Sequence, residues 1–392
     1  MIDDNQYSKN CILRLSPYLD ALELNTSCII DQSVQPISVL FEGESDKKHN
    51  ELVKEVFSDK KHKNASHIKM TKDGQLKVRN LEDIAKSVSG NMKSKKISNY
   101  YAVVQADGDS VGKYLGSLIS DEKVKGFSER CLKYTQEAAE LIKNFSGVVI
   151  YAGGDDLLFI CPLEHNSKTI FELCKDIRDR FNDKFKGDGV NVDLTVSFGI
   201  SINYYKFPLY EALEDVMDLL FGVAKDVKNK NSTALRIRKH SGQSLKICYE
   251  NGGNIHKVIK DLLGSKEPNQ DVLKSMLYKM SLYRSILSSA LNQDKNLNDV
   301  FANLFDNINQ QSYSGYIDKV ANHLQDIYNH VRAFNPEELK NFALEAMFPE
   351  NKQEENIQGD DTQILSPEEV SIRILCCILR IVKFYIEEKG GK

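Results

Sequence analysis

Two short segments of this 392-residue chain have residue types and spacing suited to chemistry: Asp107-Gly108-Asp109 and Gly153-Gly154-Asp155-Asp156. The first closes an apolar run over 100–106, and the second separates two apolar runs at 148–152 and 157–161. If the first run lies beside the other two in one sheet, Asp107, Asp155 and Asp156 meet at the same end of it. Hard oxygen donors gathered in this way suit Mg²⁺ or Mn²⁺, which take a few carboxylates and keep positions for substrate phosphates. Two such ions about 3.5–4 Å apart lower the pKa of an attacking hydroxyl and stabilise a leaving pyrophosphate. Gly108, Gly112, Gly153 and Gly154 leave out side chains where backbone turns tightly or approaches phosphate. Taken singly, each segment is also ordinary turn chemistry. Their order carries the signal, a strand ending in Asp-Gly-Asp followed by strand–GGDD–strand.

The surrounding pattern supplies elements to hold them. Helical periodicity runs over 113–145, with a break expected near 120–126, and the Gly/Asp segment at 153–156 reads as the turn of a β-hairpin. A helix is expected over 169–185. The alternation Val192, Leu194, Val196, Phe198, Ile200, Ile202 predicts a strand with one buried face. Helix over 209–225 and a closing edge strand at 234–237 complete the order β-α-α-β-β-α-β-α-β. This is an α+β sandwich of ferredoxin-like type, with helices on one side of the sheet. Beyond residue 252 only helical spacing remains, over 255–263, 272–291, 298–308, 316–334 and 336–347. An acid-rich linker is expected at 350–366, and a last helix follows it. The domains expected are an N-terminal region 1–98, a palm-like domain 99–250 and a helical domain 251–392.

Composition narrows the class. At 41% hydrophobic and 28% charged residues the chain is globular rather than disordered or rod-like. The eight Cys, at 11, 28, 131, 161, 174, 248, 376 and 377, include no CxxC pair and read as reduced core residues, Cys376-Cys377 included. No signal peptide is apparent, so a cytoplasmic, membrane-free protein is expected. The apolar stretch 370–386 is interrupted by Arg373, Arg380 and Lys383. It opens with Ser366, Pro367 and Glu369 as a capping box would, which predicts a buried helix. The net charge of −4 hides a basic stretch at 46–98, with 14 Lys/Arg against 7 Asp/Glu. Such a stretch suits either RNA phosphates, with Lys47, Lys60 and Lys93 as candidates, or a solvated loop.

The run YAVVQADGDSVGK at 101–113, with YAGGDDLLF at 151–159, resembles the cyclase-type palm of the large subunit of type III CRISPR effector complexes, on the III-B (Cmr) side. TVSFGIS at 195–201 and Ala224-Lys225 are similar to the related GGDEF cyclase core. The resemblance is detailed over 99–245 and looser over 253–388. It implies a palm that converts ATP into cyclic oligoadenylate after foreign RNA is sensed or, as in some III-B relatives, into an adduct with S-adenosylmethionine. It further implies metal ligation by Asp107, Asp155 and Asp156 and by the Gly108 carbonyl. Phosphates would be cradled by the loop Ser110, Val111, Gly112 and Lys113, with Gly153, Gly154 and a triphosphate contact from Lys225. Other effector subunits would pack on the helical domain, and guide and target RNA would be reached through the complex.

The same comparison marks departures. No His-Asp dipeptide or zinc-type Cys pattern is present, so the sequence reads as a reduced form without the HD nuclease and zinc motifs, as the C-terminal half of a split gene, or as a piece of a longer chain. Asp109 suits either support of the metal ligands or a helix cap, and Ser197 and Gly199 suit close packing. Tyr204, Tyr205 and Phe207 suit a lid or core more than a stack on adenine. Two alternatives stand beside the nucleotidyltransferase: a non-catalytic scaffold of the effector complex, and a stand-alone diguanylate-type cyclase. Leu157-Leu158 after the acidic pair, in place of the usual GGDEF ending, weighs against the last.

Overall fold

The computed structural model describes residues 68–70, 76–87, 98–118, 120–185, 194–227, 230–265, 268–305, 310–334 and 366–389. Lys47, Lys60 and Lys93, Cys11 and Cys28, the helix expected at 336–347 and the linker up to residue 365 lie outside them. A small antiparallel pair, β1 (Ile68–Met70) and β2 (Leu76–Val78), precedes a short helix, α1 (Leu81–Ala85).

The main sheet is built from β3 (Tyr100–Asp109), the hairpin β4 (Val148–Gly153) and β5 (Asp156–Pro162), β8 (Thr195–Tyr204), β9 (Ser232–Arg238) and β10 (Ser244–Glu250). Between β5 and β8 the two-residue strands β6 (Glu164–His165) and β7 (Lys168–Thr169) form a small ladder of their own. The spatial order is β10-β9-β8-β3-β5-β4, antiparallel throughout except for the parallel pair β8–β9. The four strands β8-β3-β5-β4 with their two crossover helices have the ferredoxin-like arrangement. The segment expected as an edge strand is therefore internal. Residues 244–250 carry only short apolar runs, and they form the edge strand instead.

Helices cover both faces of the sheet rather than one. After α2 (Val111–Ser117), helices α3 (Asp121–Asn144) and α4 (Ile170–Phe185) pack on the face carrying Tyr100, Ala102, Val104, Ala106, Phe159 and the even residues of β8. Helix α5 (Leu209–Leu219) and α1 cover the opposite face, against Tyr101, Val103 and Ile160. β8 is therefore buried on both sides. Its apolar residues face α3 and α4, while Ser197, Ser201 and Asn203 are also fully buried. Helix α2 ends at Ser117 and α3 begins at Asp121, earlier than the break the sequence pattern placed at 120–126, because Ser120 caps α3 and Gly126 lies inside that helix.

The remaining helices are α6 (Asn254–Gly264), α7 (Gln270–Leu282), α8 (Arg284–Asn292), α9 (Leu297–Leu304), α10 (Gln310–Val331) and α11 (Pro367–Lys389). The single run expected over 272–291 is two helices, parted at Tyr283. One apolar core runs from the sheet into these helices, and α11 is its spine, with Ile374, Leu375, Ile378, Leu379 and Ile381 fully buried. Among the described residues no helix is long and apolar enough to cross a membrane. Ser366 accepts from the Glu369 N–H, but only half of the expected capping box forms. The Glu369 carboxylate turns instead to Arg284 and Arg373. Cys376 and Cys377 sit in this core, and burial pushes their thiols up to about 11 and about 12.

Helix α5 is held to the sheet by a buried carboxylate. Asp215, 6% exposed, accepts from Arg236, from Arg238 Nε and a second Arg238 nitrogen (both 2.7 Å), and from Ser201 Oγ (3.3 Å). Burial alone raises such a carboxyl, but Arg238 and Arg236 outweigh it and hold Asp215 below its ordinary value of 3.8. A depressed folded pKa gives stability that is complete well above that value and fades as pH falls through it. Replacing Asp215 with Ala removes the buried carboxylate that two guanidinium groups share beside the sheet. The expected loss is about 2–4 kcal/mol near neutral pH, below the full cost of breaking a buried pair because both arginines reach solvent. Urea unfolding of the two proteins at pH 7 and pH 3 checks it, with a smaller gap in acid.

Candidate active site

The candidate site residues collect at the end of the sheet where β3 stops. Its register pairs Asp107 with Ser197 and Asp109 with Thr195 on β8, and pairs Ala106 with Leu157 on β5. The next position along brings Asp107 beside Asp156, the first residue of β5. The hairpin turns through Gly154 at φ +63°, a backbone conformation that favours glycine. Strand alternation puts Gln105, Asp107 and Asp109 toward α5 and Gly108 toward α3, so the carboxylates flank the strand end on both sides.

Gly108 is required by Asp155. A Cβ there would lie 2.5 Å from Asp155 Oδ2 and 2.8 Å from Asp155 Cβ, and the Gly108 N–H donates to that carboxylate. Gly153 makes room for the Tyr151 hydroxyl, which a Cβ would meet at 2.5 Å, while Gly112 has open space around it. Burial, then repulsion from Asp156, raises Asp155 above its ordinary value, and burial raises Asp156. Asp156 Oδ1 is buried with no hydrogen-bond partner. Below the pair, Tyr134 of α3 is fully buried and its hydroxyl also lacks one.

On the α5 side the helix passes into a single π-helical turn, Leu220–Ala224, and Lys225 follows, its N–H bonded to Leu220 O. Such turns redirect the residue that follows them. The turn lies directly on Gly199, where a Cβ would come within 2.5 Å of Val216 O and 2.9 Å of Leu220 N. Lys225 therefore reaches the strand end. Its ammonium pairs with Asp107, donates to Gly108 O at 2.9 Å and lies 3.8 Å from Asp109 Oδ1. Burial, and then repulsion from Lys230, lowers the ammonium to about 8.

Asp109 is not a helix cap. Only 2% exposed, it accepts from Thr195 Oγ1 (2.7 Å), Ser197 Oγ (2.8 Å) and the Asn231 N–H (3.0 Å), tying β3, β8 and the approach to β9 together. Thr195 and Asn231 escaped the sequence reading. Asn231 and its neighbour Lys230 have positive φ, a conformation Asn tolerates better than most residues, and no pattern around them announces it. The segment expected as a phosphate-cradling loop is mostly helix. Ser110, at φ 64°, precedes α2, and Val111, Gly112 and Lys113 form its first turn. Tyr204 and Tyr205 lie at the far end of β3, where Tyr204 packs against Tyr100, Tyr205 and His240, and Phe207 joins the core under α5. They belong to the core and not to the site.

The donor set is one of hard oxygens. Among the described residues no three His, Cys, Asp or Glu side chains converge on one point as they stand, and the Lys225 ammonium meets Asp107, Asp109 and the Gly108 carbonyl. Two features nevertheless fit a divalent cation: the unpartnered Asp156 oxygen, and the all-oxygen chemistry of Asp107, Gly108 O, Asp155 and Asp156.

A ferredoxin-like sheet with acidic groups at the end of its first strand and at its hairpin tip has the arrangement of a palm domain. Residues 100–234 match the family described as Cas10/Cmr2, second palm domain. The CRISPR system Cmr subunit Cmr2 of Pyrococcus furiosus is 32% identical over 180 residues, 39% of this chain and 20% of that protein. The chain thus spans one fifth of the length of this relative. Csm1 of T. onnurineus superimposes with a TM-score of 0.43 at 19% identity, over 81% of this chain and 41% of Csm1. The apo type III-B Cmr-beta structure gives 0.36 at 14% identity, over 55% of this chain and 34% of that one.

Proposed function

We propose that this palm is a nucleotidyltransferase that converts ATP into a signalling nucleotide within an RNA-guided type III effector complex. The product is cyclic oligoadenylate or an ATP–S-adenosylmethionine adduct. The observation that carries the reading is the gathering of Asp107, the Gly108 carbonyl, Asp155, Asp156 and Lys225 at one sheet end of a Cas10/Cmr2-type palm. Asp107, Gly108 O, Asp155 and Asp156 would hold Mg²⁺ or Mn²⁺. When bound, two such ions activate a ribose hydroxyl toward the α-phosphate of a second nucleotide and stabilise the pyrophosphate that leaves.

The chain's own groups do the rest. The desolvated carboxylates, both raised by burial, make a site in which neutralisation by a cation is strongly favoured. Lys225 supplies the positive charge nearest to the strand end and suits a triphosphate. The first turn of α2, at Val111, Gly112 and Lys113, presents backbone N–H groups that have no acceptor within the helix, and Gly153 and Gly154 leave the hairpin tip bare. Asp109 holds the strands on which these groups stand. The helices from α6 to α11 are the surface on which other effector subunits would dock, and guide and target RNA would be engaged through that assembly.

Nucleotide preference tests the reading against its rivals. Titration calorimetry of the chain in Mg²⁺ is expected to give binding of ATP in preference to GTP, lost in Asp107→Asn. A preference for GTP would favour a diguanylate-type cyclase, and no nucleotide binding would favour a scaffold.

A further inference from the structure

The Lys225 ammonium has the surroundings of a bound cation rather than of a free lysine. It is held in the groove between α5 and the strand end, its side chain 13% exposed, and every oxygen it meets belongs to β3: the Asp107 carboxylate, the Gly108 carbonyl and Asp109 Oδ1. Two of these, Asp107 and Gly108 O, are the donors that the proposed function gives to a divalent ion. An ammonium and a divalent ion cannot share them, since like charges a few ångströms apart repel strongly in a site shielded from water. The π-helical turn before Lys225 gives the side chain its approach, and Phe221, 52% exposed on that turn, has its ring centroid 5.9 Å from the ammonium.

We infer that Lys225 is an internal counter-ion, filling the cation position of the palm until a divalent ion displaces it. The inference rests on the proposed function above. Displacement frees the ammonium when the ion arrives, so that it can turn to the phosphate oxygens that accompany the ion. Lys225 thereby orders the events at the site: in the ion-free protein it holds Asp107 and Gly108 O in place but is not available to a triphosphate, and ion and lysine exchange partners together. Asp109 stays behind in either state, because its other bonds, to Thr195, Ser197 and Asn231, do not involve the lysine.

The test measures ion binding without nucleotide and needs no turnover. Mn²⁺ is titrated into the full chain and its Lys225→Gln variant, with free Mn²⁺ read by electron paramagnetic resonance and folding checked by circular dichroism. If the ammonium fills the position about nine-tenths of the time, its removal tightens Mn²⁺ binding roughly tenfold, because the site's apparent affinity is set by the fraction left open. A second readout uses the unaltered chain. The rate at which an amine reagent modifies Lys225, followed by peptide mass spectrometry, is expected to rise several-fold when Mg²⁺ is added. Equal or weaker Mn²⁺ binding by the variant, or a modification rate indifferent to Mg²⁺, would overturn the counter-ion role while leaving the metal-dependent palm intact. Absence of Mn²⁺ binding by both proteins would overturn the proposed function itself, and the inference with it.

Discussion

Converting Asp155 and Asp156 together to alanine is expected to abolish nucleotide turnover, by at least about 100-fold, the scale on which removal of one stabiliser of developing charge acts. The same change is expected to leave the fold intact or more stable. Asp156 Oδ1 makes no hydrogen bond, and Asp155 and Asp156 are both raised by burial, with Asp155 further raised by its neighbour. Two desolvated like charges side by side oppose folding, so removing them relieves a cost. The turn itself depends on Gly154, which is unchanged. Radiolabelled ATP consumption and thermal unfolding, measured on the same preparations, check both halves. A variant that loses activity and also unfolds would place the carboxylates in the structure rather than in the chemistry.

The second large effect is expected from a single methyl group. Gly199→Ala puts a Cβ within 2.5 Å of Val216 O and 2.9 Å of Leu220 N, and 3.1 Å from Leu220 Cβ. Backbone of α5 and of the π-helical turn must move, which no side-chain rotation can relieve. Overpacking of this kind costs about 1–3 kcal/mol, and contact with backbone puts this case at the upper end. The displaced turn carries Lys225, so the variant is also expected to lose nucleotide affinity at temperatures where it remains folded. Urea unfolding and ATP titration at low temperature measure the two effects. Wild-type stability in Gly199→Ala would show that α5 can slide over the sheet without cost.

These two glycines, Gly199 and Gly108, illustrate what the sequence makes legible and what it does not. The acidic turns, the hairpin between 148 and 162 and the alternation along β8 are local patterns with a period of two, and the sheet uses them as written. The interruption after α5 is different. Residues 209–225 keep helical hydrophobicity through the π-helical turn, so nothing in the spacing shows that Lys225 is rotated onto β3. β10 is hidden for a related reason, since Leu245, Lys246, Ile247, Cys248 and Tyr249 are too short and mixed a run to mark an edge strand, and its pairing with β9 is long-range. Asp109 could not be resolved from its neighbours in sequence, because its partners Thr195, Ser197 and Asn231 come from two distant segments. The coverage of both sheet faces follows from the same limitation: polar Ser197, Ser201 and Asn203 read as a solvated face, yet all three are buried, Ser197 against Asp109, Ser201 against Asp215, and Asn203 bonded to Ser201.

The identity of the product tests the account most directly. The chain, assembled with effector subunits, guide RNA and target RNA, is given ATP and Mg²⁺ or Mn²⁺, with and without S-adenosylmethionine, and the soluble products are weighed by mass spectrometry. Oligoadenylate, or an adduct of ATP with S-adenosylmethionine, that forms with the unaltered chain and disappears with Asp155→Ala/Asp156→Ala is the result predicted. An assembled, metal-binding complex that leaves ATP unchanged under every RNA condition would contradict it, and would make this palm a scaffold.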